Sequence, residues 1–463
     1  MAQTALPRVL SLRDVVLFNI TAIVGLRHLQ TASQFGPASI LLWLLAMVVF
    51  FLPSAAAVRE LAEIDPRTGG LYRWAERAFG PRQGFLAGWS YWVSNLVYFP
   101  ALLVSTAAIA AYALASGEGA VRLGESTTFV GALSLGCLWL ALGVNVIGLK
   151  VGRWLPNIGA YGTWIPAGIL ILLAAWALAT HGSATAFTTT RLLPERFNFE
   201  LVNFFATITF AFAGLELAPT MGDEIRDPAA TLRRGVVRSG IIIAAIYILG
   251  SVAVLVALPA ERVSVTNGVP QVVAALSDVL GFAWLVPAAA VVALLIALGN
   301  LGGVGAWLAG SARLPFAAGI DRALPAAFSR IHPRWHTPHV ALLAQAGFAT
   351  AFVLLGLLGA TVRDAYVALS SATVILYFVP YLYLFGAYLR LRRERNARTA
   401  LIGWLGFGAV VLSIGVSLIP PAVESPLKFE AKVVGGVAGF LLVGWWLAGR
   451  GVRQRTASAP SVS

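Results

Sequence analysis

Long apolar stretches separated by short polar loops fill almost the whole of this 463-residue sequence. Each stretch is long enough to cross the hydrocarbon layer of a membrane, about 30 Å thick, as an α-helix. Alternating strand patterns of about ten residues are absent, so the sequence does not indicate a β-barrel. It predicts an all-α integral membrane protein with twelve transmembrane segments, numbered in chain order, at residues 14–34, 38–58, 84–114, 127–147, 156–179, 201–221, 237–258, 282–309, 339–359, 364–388, 401–419 and 432–449.

Two of these segments carry features that interrupt a helix. In segment 1, Gly25 is followed by Arg27 and His28 in the middle of the membrane, and in segment 6 Ala213 and Gly214 interrupt an apolar run. Segment 6 begins five spans after segment 1, so the chain enters it from the opposite side. Interrupted helices at corresponding positions of two inverted halves mark the substrate site of transporters. We therefore expect a substrate site where segments 1 and 6 cross.

An ionisable residue, Glu216, lies deep in segment 6. A carboxylate buried in the membrane is costly and by default marks a functional pathway. Because burial favours the neutral form of a carboxyl group, Glu216 is a candidate proton carrier. The residue alone leaves open the alternative of a structural Glu that is hydrogen-bonded to a neighbouring helix.

The composition supports the membrane assignment and excludes other classes. Hydrophobic residues make up 59% of the chain and charged residues only 11%, which is typical of membrane proteins. The net charge of +13 comes from arginines dispersed among short loops, without a basic stripe, so nucleic acid is not an expected partner. The single cysteine, Cys137, indicates neither a disulfide nor a metal cluster.

Most of the basic residues fall on one side of the predicted topology, and the positive-inside rule therefore places both termini in the cytoplasm. Residues 1–13 show no cleavable signal peptide. The polar tail 450–463 is expected to be disordered. A multi-pass protein of the cell membrane follows from this pattern.

Two loops on the cytoplasmic side carry further features. Residues 65–80 have charges and aromatic side chains at helical spacing and predict an amphipathic helix on the membrane surface. Gly84 and Gly88 at the start of segment 3 predict close helix packing. The loop after segment 8 holds three histidines without cysteine or carboxylate partners and with prolines between them, so we predict no metal site. These histidines are His332, His336 and His339.

Three motifs together resemble the amino acid–polyamine–organocation transporter superfamily, in that family's order along residues 14 to about 390. The first is a glycine and aromatic loop after segment 2, the second is the core of segment 6, and the third is the loop after segment 8. Their residues are Gly69, Gly70, Tyr72, Trp74, Phe79, Gly80, Gly88 and Trp89; Phe210, Phe212, Gly214, Glu216, Glu224, Ile225, Asp227 and Pro228; and Ser311, Ala312, Arg313, Leu324, Pro325, His332, Pro333 and Arg334.

The resemblance implies two inverted five-helix repeats, residues 14–179 and 201–388, followed by two further helices within 401–449. It implies secondary transport by alternating access, without ATP hydrolysis, and we expect no cofactor. The residues themselves disfavour an enzyme, because no nucleophile, base and orienting group recur with catalytic spacing. Consistent with that mechanism, the sequence has no Walker-type phosphate loop.

Broken helices also supply the chemistry of a substrate site. Freed amides near Val24 to Arg27 can bind a carboxylate, and freed carbonyls at Ala211 to Ala213 can accept from an ammonium group. In related transporters the aromatic residue matching Phe210 caps the substrate, and the Glu matching Glu216 senses protons. Phe212 is a second wall candidate, although either Phe is equally explained by packing. The predicted substrate-binding residues are Ile23, Val24, Gly25, Leu26, Arg27, Phe210, Ala211, Phe212, Ala213, Gly214, Asn95 and Asn300.

Two departures from the family pattern change the expected chemistry. The usual Gly-x-Gly of segment 1 is replaced by a stretch ending in Arg27 and His28. Arg27 binds an acidic group of the substrate or of a gate in one hypothesis, and lines a wet vestibule in the other. Thr163 stands where proton-coupled relatives carry a Lys, so a cation site near Thr163 is a further candidate.

Other polar residues have spacing that suits either the cavity or contacts between helices. They are Trp92, Asn95 and Tyr98 on segment 3, Asn300 on segment 8, and Ser370 and Ser371 on segment 10.

The leading function is amino acid transport, either coupled to protons or by exchange. A polyamine or related cation is the rival substrate, which Arg27 disfavours by like charge and Glu216 favours. A nutrient sensor on the same scaffold is a weaker alternative. The sequence leaves the oligomeric state open.

Overall fold

The structure is a computed structural model that describes residues 7–115, 117–148, 152–194, 199–263, 268–281, 285–320, 323–357, 362–418 and 426–457. Each predicted segment coincides with a helix or a helix pair, and we keep the segment numbers for them. In order, the helices of segments 1 to 12 are Leu12–Ile23 with Arg27–Ser33, Ala38–Ala46 with Leu52–Ile64, Pro81–Leu114, Thr127–Ile147, Trp154–Thr180, Phe199–Ala211, Pro228–Ala257, Leu285–Ser311, His339–Leu357, Val362–Leu391, Ala397–Ser417 and Pro426–Ala457.

The helices confirm the predicted fold class. Nine helices of the described residues are long and apolar enough to cross a membrane, or ten if the bent pair of segment 1 counts as one span. The part of segment 9 that counts in this comparison, His339–Leu355, is shorter, and the helix of segment 6 has 13 residues. Segment 6 is short because its helix stops at Ala211, before a short 3-10 helix at Ala218–Glu224.

Both predicted helix breaks are present, and they touch. The first helix of segment 1 ends at Ile23, Val24 is extended, and the second helix leaves at an angle of 47°. In segment 6, Gly214 has a φ of 131°, a conformation that L side chains rarely adopt. A Cβ on Gly214 would lie 2.8 Å from Cγ1 of Ile23. Glycine at this position therefore lets the two breaks approach each other.

Segments 5 and 8 pack backbone to backbone through glycines. A Cβ on Gly159 would lie 2.6 Å from Cα of Gly302, and a Cβ on Gly162 would lie 2.6 Å from the amide nitrogen of Gly299. Small residues let membrane helices approach closely and gain van der Waals contact. This packing holds segment 8 against segment 5, and both helices also contact segment 1.

A buried ion pair ties the end of segment 6 to the end of segment 8. The Arg313 guanidinium donates to both carboxylate oxygens of Glu224 at 2.8 Å, and both side chains are at most 2% exposed. The backbone carbonyl of Glu224 also accepts from the amides of Val9 and Leu10, at 2.9 and 3.0 Å. The residues before segment 1 are thereby attached to segment 6.

The loop after segment 2 contacts the same region. Thr68 and Asp223 exchange two hydrogen bonds between side chain and backbone, at 3.1 and 3.2 Å. The amphipathic helix predicted in residues 65–80 runs from Leu71 to Phe79, and its apolar face packs against segments 3 and 10. Gly84 faces Glu76 and Gly88 faces Tyr72 of this helix. Their close-packing role is confirmed.

Four parts of the chain differ from the sequence expectation. Gly117–Glu125, Gly268–Leu280 and Arg313–Ile320 are helices inside predicted loops. The last of these is stabilised because its apolar side chains are buried and Arg313 pairs with Glu224. The prediction of a disordered tail was wrong for residues 450–457, because the helix of segment 12 continues to Ala457 and Arg450 stacks on Trp446. Residues 458–463 lie outside the described residues.

Candidate functional site

Tyr247 of segment 7 joins the two helix breaks. The amide of Gly25 donates to the Tyr247 hydroxyl at 3.2 Å. The same hydroxyl lies 2.7 Å from the carbonyl oxygen of Ile23 and 3.0 Å from that of Ala211. The carbonyl groups freed by the breaks in segments 1 and 6 therefore share one donor, which satisfies their need for hydrogen bonds inside the protein.

Trp307 of segment 8 supports the break in segment 1 from another side. Its indole N–H donates to the carbonyl of Ala22 at 2.9 Å. The amide of Val24 still donates to Ile20 at 2.8 Å, as in a helix. Of the amides predicted to cradle a carboxylate, those of Val24 and Gly25 thus have partners within the protein in this structure.

Glu216 is fully buried and accepts four hydrogen bonds. Oε1 accepts from the hydroxyls of Tyr91, at 2.7 Å, and Tyr377. Oε2 accepts from the Tyr381 hydroxyl and from the Gly214 amide, the latter at 3.2 Å. These donors come from segments 3, 10 and 6, so the geometry supports the alternative in which Glu216 bonds to neighbouring helices.

A narrow cavity lies at the crossing of segments 1 and 6. It has room for roughly one water molecule between the side chains, so an organic solute requires it to widen. Arg27 and His28 are partly exposed to it, and the described lining residues include no carboxylate. The lining consists of Ala22, Ile23, Arg27, His28, Tyr98, Phe210, Ala211, Ala213, Trp307 and Tyr377.

Arg27 reaches across this cavity toward segment 3. Its Nη2 lies 3.4 Å from the Tyr98 hydroxyl, and its guanidinium carbon lies 5.8 Å from the centre of the Tyr98 ring. Tyr98, Phe210, Trp307 and Tyr377 form aromatic walls whose ring centres are 5.4 to 6.4 Å apart. The site combines one permanent cation with apolar and hydroxyl-bearing surfaces.

The structure brings some predicted binding residues to the cavity and places others elsewhere. Ile23, Arg27, Phe210, Ala211 and Ala213 line it. The remaining predicted residues of the two breaks are buried behind the lining, in contact with other parts of the fold. They are Val24, Gly25, Leu26, Phe212 and Gly214. Phe212 packs on Phe51 with ring centres 4.6 Å apart, as its packing alternative predicts.

The predicted polar residues of segments 3, 5 and 8 do not line this cavity, apart from Tyr98. The Asn95 amide group donates to the carbonyl of Tyr91 in its own helix at 2.7 Å. The Thr163 hydroxyl donates to the carbonyl of Gly159 at 3.0 Å. Asn300 is half-buried on segment 8, and Trp92 packs against Trp89. The side chains of Ser370 and Ser371 lie outside the described residues.

His332 and His336 lie in a turn before segment 9, and His339 is the first residue of the segment 9 helix. Nδ1 of His332 accepts from the amides of Arg334 and Trp335, each at 3.2 Å. The His339 ring packs edge-on against His332, with ring centres 5.2 Å apart. Within the described chain, no group of three or more His, Cys, Asp or Glu residues is arranged to hold a metal ion.

Sequence reasoning missed several residues of the site, namely Tyr91, Tyr247, Trp307, Tyr377 and Tyr381. Each of these side chains carries an O–H or N–H donor within an apolar segment. Tyr377 and Tyr381 are also four residues apart, on one face of a helix. This spacing of hydroxyl groups was the available signal.

Comparisons with known proteins agree with this architecture. The sequence model of a family described as amino acid permease matches residues 10–441. An uncharacterised transporter of Legionella pneumophila is 28% identical over 459 residues, which cover 95% of this chain and 97% of that protein. A probable agmatine/putrescine antiporter of Lactococcus lactis is 26% identical over 83% of this chain and 79% of its own. The crystal structure of MhsT in complex with L-phenylalanine matches with a TM-score of 0.64 at 15% identity, over 88% of this chain and 97% of that one.

A multi-pass helical bundle with two touching helix breaks and a cavity between them assigns this protein to the class of membrane transporters. The match over nearly the whole length identifies the family: the chain belongs to the amino acid permease family of the amino acid–polyamine–organocation superfamily.

Proposed function

We propose that this protein is a secondary transporter of amino acids in the cell membrane, working by alternating access through proton coupling or substrate exchange. The observation that carries the proposal is the position of Arg27 on the wall of the cavity between the two helix breaks. A guanidinium group binds a carboxylate through two parallel hydrogen bonds. Arg27 is therefore the proposed binding group for the substrate carboxylate.

The hydrogen bonds around the break in segment 1 favour this role for Arg27. The Gly25 amide, a candidate ligand for the carboxylate, donates to Tyr247. Phe210 and Tyr98 meet edge-on in the cavity wall, with ring centres 6.4 Å apart, and offer aromatic surface to the side chain of the substrate. We assign the ammonium group to the freed carbonyl, of Ile23 or Ala211, to which the single proton of the Tyr247 hydroxyl is not donated.

A polyamine is the second candidate substrate, because one relative is a probable agmatine/putrescine antiporter. Both of those amines are strongly cationic, and a cavity lined by Arg27 repels them. The carboxylate of an amino acid can instead pair with the Arg27 guanidinium, so an amino acid is the better fit.

The direct test is uptake into proteoliposomes that contain the purified protein. A panel of the twenty standard amino acids, agmatine and putrescine is tested for uptake, with and without unlabelled solute inside. Uptake of an amino acid, but not of either amine, is expected. Uptake that needs internal solute identifies exchange, and uptake driven by an inward proton gradient identifies proton coupling. Transport of the amines alone contradicts the proposal.

Replacing Arg27 tests its role within the site. We expect Arg27→Ala to raise the KM for the transported amino acid by about tenfold to a hundredfold, since charge-assisted hydrogen bonds contribute about 1.5–3 kcal/mol. Arg27→Lys keeps the charge but loses the paired geometry, so an intermediate KM is expected. Arg122→Ala, which alters a strongly exposed arginine on the helix after segment 3, is the control. An unchanged KM and selectivity in Arg27→Ala would support the vestibule alternative.

A further inference from the structure

His28 shares the wall of the cavity with Arg27. A Cβ on Gly25 would lie 3.0 Å from Cδ2 and 3.3 Å from Nε2 of His28, and 3.4 Å from Nη1 of Arg27. Both side chains thus fold over the same glycine, and their nitrogens are no farther apart than about twice these distances. A group that binds Arg27 here also lies next to the imidazole ring.

The surroundings of His28 contain few charged or titratable groups. From segment 7 the Tyr247 ring meets it edge-on with ring centres 6.3 Å apart, and from segment 6 the Phe210 ring does so at 6.4 Å. Tyr98 of segment 3 and Tyr377 of segment 10 face the same cavity. The carboxylate of Glu216 lies behind Tyr377 and accepts a hydrogen bond from the Tyr377 hydroxyl.

These neighbours make the charge state of the imidazole depend on what occupies the cavity. The Arg27 guanidinium disfavours a second positive charge beside it, and aromatic walls solvate that charge poorly. A carboxylate in contact with Arg27 adds a negative charge within a few ångströms of the ring and favours the protonated form. Histidine is the side chain whose charge such changes switch most readily near neutral pH.

We propose that His28 takes up one proton when a substrate carboxylate binds to Arg27, so that substrate and proton cross the membrane together. The inference rests on the proposed function, since it requires a carboxylate in this cavity. A proton from the aqueous side to which the cavity is open adds to the unprotonated ring nitrogen of His28. The proton is released to water on the other side when the substrate carboxylate leaves. Glu216 already accepts four hydrogen bonds and does not line the cavity, which makes it the less suitable carrier.

Calorimetry on the purified full-length protein tests the proposal. The twenty standard L-amino acids are first screened one by one for thermal stabilisation, and the one with the largest shift is titrated in two buffers of different ionisation enthalpy. Uptake of about one proton per bound amino acid is expected where free His28 is neutral and liganded His28 is protonated. In that range the Kd should rise by up to about tenfold per pH unit.

Variants separate His28 from other proton acceptors. His28→Gln, which keeps a hydrogen-bonding side chain but cannot be protonated, should bind the amino acid with no proton uptake and with a Kd that changes little with pH. His28→Asn is the second variant if His28→Gln does not fold. His181→Gln, at the end of segment 5 beside Thr180, is the control and should keep the proton uptake of the wild type.

The outcomes distinguish the two proposals. If no amino acid stabilises or binds the wild-type protein, the proposed function fails. If an amino acid binds but no proton is taken up, or if His28→Gln and His28→Asn take up as many protons as the wild type, the proposed function stands and the role of His28 is overturned.

Discussion

A single hydroxyl group, that of Tyr247, serves three backbone groups at the two helix breaks. It accepts from the Gly25 amide and lies within 3.0 Å of the carbonyls of Ile23 and Ala211. A phenol has one proton, so it can donate to only one of these carbonyls at a time. The second carbonyl is then available to a donor on a bound solute.

Removal of this hydroxyl should loosen both breaks. Tyr247→Phe leaves the buried carbonyls of Ile23 and Ala211 without their donor, and we expect a loss of about 1–3 kcal/mol in stability. Thermal unfolding in detergent measures it. Tyr161→Phe, whose hydroxyl contacts an exposed Arg13, is the control and should change stability by less than about 0.5 kcal/mol. Equal unfolding temperatures for both variants would show that the Tyr247 hydroxyl does not hold the breaks.

Glu216 can be tested against His28 as the proton carrier. Glu216→Gln turns one acceptor of the tyrosine cluster into a donor, so about 1–3 kcal/mol of stability should be lost. If His28 carries the proton, the pH dependence of uptake into proteoliposomes persists in this variant. If the pH dependence of uptake is lost in Glu216→Gln and kept in His28→Gln, Glu216 is the proton carrier and the role assigned to His28 is wrong.

At the scale of single elements, the sequence predicted the breaks but not their partners. A glycine two residues before a charged residue, inside an apolar run, disfavours a regular membrane helix, so the local sequence predicts breaks at Gly25 and Gly214. Tyr247 and Trp307 act through contacts that join distant parts of the chain. In sequence, a tyrosine in an apolar segment has the same pattern as a packing residue. Only the tertiary structure shows which backbone group its hydroxyl meets.

The glycine contact between segments 5 and 8 gives a prediction with a matched control. A Cβ on Gly162 would lie 2.5 Å from the backbone carbonyl of Leu295, so Gly162→Ala must push the helices apart, at a cost of about 1–3 kcal/mol. Gly168 lies on the same helix with nothing within 4 Å of its Cβ position. Gly168→Ala should leave stability unchanged or slightly raised. Thermal unfolding of the two variants compares them, and equal stability would contradict the tight packing.

At the scale of the whole molecule, hydrogen bonds connect the site to helices that do not line it. Gln345 of segment 9 donates to the Ser311 hydroxyl, which donates to the carbonyl of Trp307, both at 2.5 Å. Trp307 in turn donates to Ala22 at the break of segment 1. Two residues after Ser311, Arg313 pairs with Glu224 after the break of segment 6. Segment 8 and the helix Arg313–Ile320 that follows it therefore contact both broken segments. A movement of either break changes its contacts with these two helices.

The distribution of basic residues predicts how the molecule is oriented in the membrane. Arginines cluster in the loop after segment 10, residues 390–398, and the positive-inside rule places this loop in the cytoplasm. In a Cys137→Ser background, a membrane-impermeant maleimide should label Thr189→Cys, in the exposed loop after segment 5, in intact cells. Arg395→Cys should be labelled only after lysis, and the cysteine-free background gives the blank. Labelling of Arg395→Cys in intact cells would show that this loop lies outside the cell, and the predicted topology would then be wrong.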